Sequence, residues 1–308
     1  MMKDFMATVP TAMHAPSLDL QGMAALFGEQ SKVYGFIVND IASDLAKDRY
    51  SFEDLDEFQL NALDAETGRE HAGRVYWTEM LYRAHMASVA AVFRTTRWIQ
   101  VAIREHEAGS LYGCAAACRS LIESAGDIGL SLGPVAHTLA SIKDQVKAEI
   151  AGRSSEPGLI SKELEDSLIH FTHARKVGKT EEAPDSHKAM QSYKYIDYVD
   201  QMKIPGVKEL YARFCEIVHP AAESVAVTFV AKDGNWIVDP FNESVVLQDL
   251  SAENRSTLSG VVMASYNAPL LILKTLHSFN LFTKLSSLRK YRFDNIPEWN
   301  RVAALLHS

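Results

Sequence analysis

The sequence predicts an all-α fold: a single-domain helical bundle with an N-terminal helical extension and one small β-hairpin insert. Three observations lead to it. Apolar residues recur at three- and four-residue intervals through most of the 308 residues, the spacing of a helix with one buried stripe. The stretch Gly73 to His106 sustains that spacing with no proline. Only one segment, 225–238, alternates with period two, and it surrounds an Asp-Gly pair, the residues a two-residue hairpin turn requires.

Residues 1–17 lack periodicity and contain Pro10 and Pro16, so they read as a flexible arm. From Leu18 to about Leu45, Met23, Leu26, Phe27, Val33, Phe36, Ile37 and Ile41 form one helical stripe. A shorter helix is expected near 53–65, with Ser51 as its cap and Asp54 three residues on. These segments make up an extension over 18–70, and residues 71–308 form the bundle core. On the long helix Tyr76, Met80, Ala84, Ala87, Ala91 and Ile99 line one stripe. Gly109 then stops it, and Ser110 caps the next helix, Leu111 to Leu130. That helix is rich in Gly and Ala, which let neighbouring backbones approach closely, and it should be central to the bundle. Further helices are expected over 135–151, 161–175, 190–203 and 207–219, with an exposed loop at 176–185. In the hairpin Val225, Val227 and Phe229 lead into Asp233-Gly234, with Trp236 and Val238 on the return. A helix over 251–278, with Pro269 as a candidate kink, completes the core. The tail from Lys284 packs over it.

Composition narrows the functional classes. Hydrophobic residues make up 47% and charged residues 23%, a globular balance. Three cysteines, Cys114, Cys118 and Cys215, include no CxxC pair and fit reduced thiols in a cytoplasmic protein. The N-terminus has no secretory pattern, and the apolar run around residues 259–276 is interrupted by Ser265, Asn267 and Pro269, so no membrane role is expected. The net charge of −8 argues against a protein that coats nucleic acid with its whole surface. An RNA substrate would have to meet a local basic site. No GxGxxG, Walker or GxSxG motif occurs.

The segment Leu210-Tyr-Ala-Arg-Phe-Cys-Glu-Ile-Val-His-Pro220 carries the most chemistry. On a helix Arg213 and Glu216 are neighbours, as are Glu216 and His219, while Pro220 places His219 at a helix end. A histidine able to exchange protons beside an arginine able to hold a phosphate suits RNA cleavage by 2′-hydroxyl attack, with no metal or other cofactor. Arg119 and Glu123 are spaced to pair on one helix face. They either orient His219 or Arg213, or form a helix salt bridge that sets bundle register. Arg94, Arg97 and Arg104 with Trp98 form either a substrate-guiding stripe with a stacking ring or the polar face of an amphipathic helix. His170 and His173, with His187 or Asp166, have a spacing compatible with a metal, although no metal is expected. Cys114 and Cys118 read as buried small hydrophobes.

Arg213 and His219, separated by five residues near the end of a core helix, resemble the R-x(4–6)-H motif of the HEPN (higher eukaryotes and prokaryotes nucleotide-binding) superfamily. The preceding pair of long helices, with Arg119-Ser-Leu-Ile-Glu123 in the second, is similar to uncharacterised bacterial HEPN-like families, and the resemblance covers roughly residues 75–225. It implies a HEPN-like helical bundle, a homodimer, and a metal-independent endoribonuclease of a toxin–antitoxin or phage-defence system, with an antitoxin or defence partner. On that basis Arg213 would bind the scissile phosphate, His219 would act as general acid or base, and Glu216 or Glu123 would orient them. Arg94, Arg97, Trp98, Arg104 and Arg119 would contact RNA. The alternative is a non-catalytic helical binding or regulatory protein. Phe214, where active members carry a small polar residue, and the acidic net charge favour it.

Overall fold

The helical spacing of the sequence is realised through most of the described residues of the structure, a computed structural model that describes residues 15–63, 67–154, 158–178, 180–282 and 285–307. The expected N-terminal arm lies outside these residues up to position 14. The extension begins with α1 (Leu20–Phe27), capped by the Asp19 side chain. It continues through a 3₁₀ turn at Glu29–Ser31 into α2 (Lys32–Leu45). The single helix expected over 18–45 is therefore broken, because Gly28 adopts a φ of 86°. The break rotates the stripe: Val33 and Phe36 face solvent while Tyr34, Ile37, Val38 and Ile41 are buried. The short helix α3 (Leu55–Ala62) is capped by Asp54, whose carboxylate accepts from the Asp56 amide, and not by Ser51.

The next two helices set the geometry of everything else. Helix α4 (Gly68–Glu107) runs for 40 residues, about 60 Å at the usual rise. Helix α5 (Leu111–Leu132) returns along it. The corner has a specific chemistry. Gly109 adopts a left-handed φ of 70°, its amide donates to the His106 carbonyl, and the Ser110 amide donates to that of Glu105. This 5→2 and 6→1 pairing satisfies the last carbonyls of α4. The Ser110 hydroxyl then accepts from the Gly113 amide, and the Glu243 carboxylate accepts from the Leu111 amide at 2.7 Å. The corner matches the sequence reading, and its tightness makes α4 and α5 antiparallel neighbours.

The segment expected as one helix over 135–151 divides at Ile142 into α6 (Val135–Ser141) and α7 (Lys143–Ile150). Then come α8 (Lys162–His173), α9 (Ser192–Gln201) and α10 (Val207–Val218). The stretch expected to enter the hairpin as a strand from Val225 is instead a short helix, α11 (Ala222–Ala226). Strands β1 (Phe229–Lys232) and β2 (Asn235–Val238) pair antiparallel, Phe229 opposite Val238 and Lys232 opposite Asn235. Asp233 and Gly234 both have positive φ, the type I′ turn that matches strand twist.

Helices α12 (Asn242–Glu253) and α13 (Arg255–Leu276) meet at Asn254, so the expected 251–278 helix starts later and has a partner before it. Pro269 sits inside α13 without ending it. The run 242–276 is long and apolar enough by composition to cross a membrane, but 61% of its most apolar window is buried within the bundle. Helices α14 (Ser286–Lys290) and α15 (Pro297–His307) close the chain, and α15 packs on α6 and α13.

The core lies where α4, α5 and α13 meet. Trp77, Leu81, Ile99, Leu121, Ile122 and Tyr266 are fully buried there. Tyr266 stacks on Tyr34, with ring centroids 5.7 Å apart, and its hydroxyl bonds Thr96 at 2.9 Å. Small residues set the spacing on the other side of α5. A Cβ on Gly126 would lie 2.4 Å from the Tyr195 carbonyl oxygen of α9, so only glycine lets these backbones approach so closely. The contact involves backbone that no rotamer change can move. Gly126→Ala is accordingly expected to destabilise the fold by roughly 1–3 kcal/mol, read as a lower midpoint in urea at unchanged slope.

A buried polar knot ties the extension to the core. His85 is only 2% exposed, its Nδ1 lies 2.7 Å from the Tyr50 hydroxyl, its Nε2 lies 3.5 Å from the Asp48 carboxylate, and Phe282 stacks on it at 4.2 Å. Burial, reinforced by the nearby His277, pushes its pKa down to about 4. Above the unfolded value near 6.5 both states are neutral. As pH falls from there toward 4, only the unfolded chain takes the proton, so stability drops by up to about 3 kcal/mol. The melting temperature should fall over that interval, and more steeply than in His85→Gln.

Candidate active site

Helices α5 and α10 pack side by side, and the site forms on the rim of that contact. On α10, Val207, Leu210, Phe214 and Ile217 are buried against the bundle, a spacing of three and four residues. That stripe fixes the helix rotation. It places Tyr211, Cys215 and Val218 half-buried at the edge facing α5, and leaves Arg213 and Glu216 in solvent. Helix α10 ends at Val218, and His219 takes an extended conformation (φ −86°, ψ 157°) before Pro220, as the proline requires. Its ring is therefore free to turn toward α5.

There it meets Arg119. The arginine Nη1 lies 3.2 Å from His219 Nε2, and its Nε lies 3.3 Å from Glu123 Oε1. The Tyr211 hydroxyl donates to the same Glu123 oxygen at 2.6 Å. The guanidinium also stands over the Tyr211 ring, 5.8 Å from its centroid. A guanidinium can only donate, so the His219 Nε2 facing it acts as an acceptor and the ring proton is assigned to Nδ1. Burial opposes the charge of Arg119, but hydrogen bonding with Tyr211 and the proximity of Cys215 and Glu123 outweigh it and hold the guanidinium above its ordinary value. Burial, and then the bond to Glu123, push the Tyr211 hydroxyl up to about 12, so it remains a donor at neutral pH.

Of the residues singled out from the sequence, Arg119, Glu123 and His219 come together. Arg213 and Glu216 do not join them. At about 100° per residue Arg213 lies roughly 160° around α10 from Tyr211, because the buried stripe holds Phe214, next to Arg213, against the core. The arginines of α4 are likewise dispersed. Arg94 turns inward to Asp127 at 2.7 Å and covers the Phe171 ring at 4.8 Å. Arg97 bonds Gln100 at 3.0 Å, Arg104 pairs with Glu105 at 3.1 Å, and Trp98 is packed against the core. These contacts make them parts of a helix face, not a joint surface around His219.

The histidines of α8 separate as well. His170 is buried, with Nε2 unpaired among the described residues. His173 and His187, with rings 6.1 Å apart, line a cavity of about 320 Å³ together with Arg83, Glu79 and Glu165. Among the described residues no group of three or more His, Cys, Asp or Glu side chains could hold a metal ion. Cys114 and Cys118 are buried free thiols, and hydrogen bonding between them together with burial raises the Cys118 pKa well above its usual value.

Tyr211 and Cys215 escape the sequence reading. Their i, i+4 spacing is visible, but it is also the spacing of core residues, and only the rotation of α10 shows that they border a polar cluster.

Comparison of the chain with family models, with curated proteins and with solved structures gives no match.

The Tyr211–Glu123 bond joins α10 to α5 at a half-exposed position. Tyr211→Phe removes the donor while keeping the ring, and is expected to cost about 1 kcal/mol in chemical denaturation. Tyr211→Ala, which also empties the ring's place, should cost more.

Proposed function

We propose that this chain is a metal-independent endoribonuclease whose phosphate-binding arginine is Arg119, with His219 as its proton-transfer group. One observation carries the reading: an arginine and a histidine 100 residues apart in sequence meet at 3.2 Å on a half-exposed helix rim, with the arginine held from behind by Glu123. A phosphodiester placed there would have one non-bridging oxygen on the Arg119 guanidinium. The unprotonated Nε2 of His219 would take the proton of the 2′-hydroxyl as that oxygen attacks phosphorus. The 5′-oxygen would leave with a proton from water, giving a 2′,3′-cyclic phosphate and a 5′-hydroxyl end. Arg119 would stabilise the additional negative charge on the phosphorane. Glu123, fixed by Tyr211, would keep the guanidinium oriented. The resemblance to HEPN-like proteins, whose motif points to Arg213 for the phosphate, supports the part of His219 alone, and with it a cytoplasmic toxin–antitoxin or phage-defence setting with a protein antitoxin or defence partner. With a whole-chain charge of −8, RNA contact at this rim would depend on the donors of the Arg119 guanidinium.

A second reading is a non-catalytic helical binding or regulatory protein, in which the same residues lock α10 to α5. The short Tyr211–Glu123 bond between the two helices favours it.

RNA cleavage by purified protein in excess EDTA separates the two. Loss of His219 or Arg119 to alanine should lower the rate by roughly 10²–10³-fold, while Arg213→Ala, on the solvent face, should keep most of it. If Arg213→Ala abolishes cleavage and Arg119→Ala does not, the assignment of the arginine fails. If no RNA is cleaved by the wild type, the second reading takes its place.

A further inference from the structure

The cavity that His173 and His187 line lies away from the α5–α10 rim. It has a volume of about 320 Å³ and opens between α4, α8 and the 3₁₀ turn Asp185–His187, which puts it at the small end of the range for ligand pockets. Backbone contacts fix its walls. The Tyr76 hydroxyl on α4 donates to the Ser161 carbonyl and accepts from the Ser161 amide, so the start of α8 is tied to α4. Beyond the other end of α8, the Arg175 amide donates to the His187 carbonyl and the Ala189 amide donates to that of Arg175, both at 2.9 Å. This pairing brings His187 beside His173.

The polar groups of the lining have bonding capacity left over. A guanidinium has five N–H donors, yet the Glu79 carboxylate that pairs with Arg83 lies at 3.8 Å, beyond hydrogen-bond reach. The Phe52 ring lies against the Arg83 guanidinium, with its centroid 5.2 Å away. Glu165 is half-buried and forms no salt bridge among the described residues. His173 is assigned one tautomer by its neighbour. The Thr172 hydroxyl gives its proton to the Leu168 carbonyl at 2.7 Å, so it accepts from His173 Nδ1 at 2.7 Å and leaves Nε2 as an acceptor. Partial burial, and then Arg83 and His187, lower the pKa of the His173 ring, which keeps it neutral at pH 7. His187 Nδ1 is buried without a hydrogen-bond partner among the described residues. Polar groups drawn out of water and left unpaired cost free energy that a ligand can return.

We propose that this cavity binds a small amino-acid zwitterion, its carboxylate on the Arg83 guanidinium and its ammonium group on Glu165 and His173 Nε2. The charge pattern selects that class. A simple anion would meet the Arg83 donors but also the Glu79 and Glu165 carboxylates. A simple cation would leave the Arg83 donors unanswered. A zwitterion satisfies both signs within one small volume, and a guanidinium–carboxylate pair is among the strongest hydrogen-bonded contacts. Met80 and Ile169 complete the lining with apolar surface, which suits a short aliphatic side chain. The proposal does not rest on the cleavage reaction: no lining residue belongs to the Arg119–His219 cluster, and its test contains no RNA.

Isothermal titration calorimetry of the full chain tests it, with each common free L-amino acid in turn and with acetate and ethylamine as the separate halves. At least one small aliphatic amino acid should bind, and acetate and ethylamine should each bind roughly 10–100-fold more weakly, the effect of losing hydrogen bonds to a charged group. Arg83→Gln and Glu165→Gln should each weaken amino-acid binding by about the same factor. Arg97→Gln, at an exposed position of the same helix, should leave it unchanged. Far-UV circular dichroism checks that each variant is folded, and the wild-type panel decides between a zwitterion, a simple ion and no ligand without any variant. Absence of binding by every amino acid at roughly 10 mM overturns the proposal. So does binding that survives both Arg83→Gln and Glu165→Gln in folded protein, or acetate or ethylamine binding as tightly as any amino acid.

Discussion

Close approach of helix backbones along α5 governs the architecture, because every element around the candidate site takes its position from that helix. Its small residues allow it to be embraced from several sides. Gly126 admits the α9 backbone at the Tyr195 carbonyl, α4 runs along it through the whole bundle, and α13 closes the third side. Larger residues on α5 would push these helices outward, and the apolar side chains now buried in the core would lose contacts over their whole length. The α4–α5 corner maintains the register of this packing, with its carbonyls and amides satisfied by Gly109, Ser110 and Glu243.

The polar cluster is a consequence of the same packing. Helix α10 can reach Arg119 because its own apolar stripe seats it against α5, and that stripe determines which polar residues face inward. Phe214 is the instructive case. It occupies the position directly after Arg213 and is buried, which forces Arg213 outward. Tyr211 and Cys215, with less prominent chemistry in the sequence, are thereby brought to the arginine of the neighbouring helix. The extended backbone at His219 completes the arrangement by releasing the ring from the helical path.

The two polar assemblies of the molecule differ in character. Around His85 the imidazole is buried and held neutral, and the hydrogen bond with the half-buried Tyr50 ties the chain after α2 to the long helix α4. That knot joins extension to core. Around Arg119 the charge is retained, solvent reaches the rim, and Glu123 leaves the guanidinium with donors to spare. This difference in access and in retained charge separates a structural knot from a candidate site that a ligand could reach.

By itself, the sequence determined the all-α architecture, the Gly109–Ser110 corner and the Asp-Gly hairpin turn, because these depend on local rules: apolar spacing, backbone conformation and capping. It also marked Arg119, Glu123 and His219 as residues of interest. Only the tertiary structure decided that Arg119 rather than Arg213 stands beside His219, since that depends on the rotation of α10 about its axis and on which of two adjacent residues, Arg213 or Phe214, the core accepts. Local breaks were equally hidden. The helix expected over 18–45 divides at Gly28, and the strand expected from Val225 begins as a helical turn, because an apolar pattern of a few residues fits either period until packing chooses one. The meeting of residues 119 and 219 is a property of two helices side by side, and spacing along one chain carries no record of it.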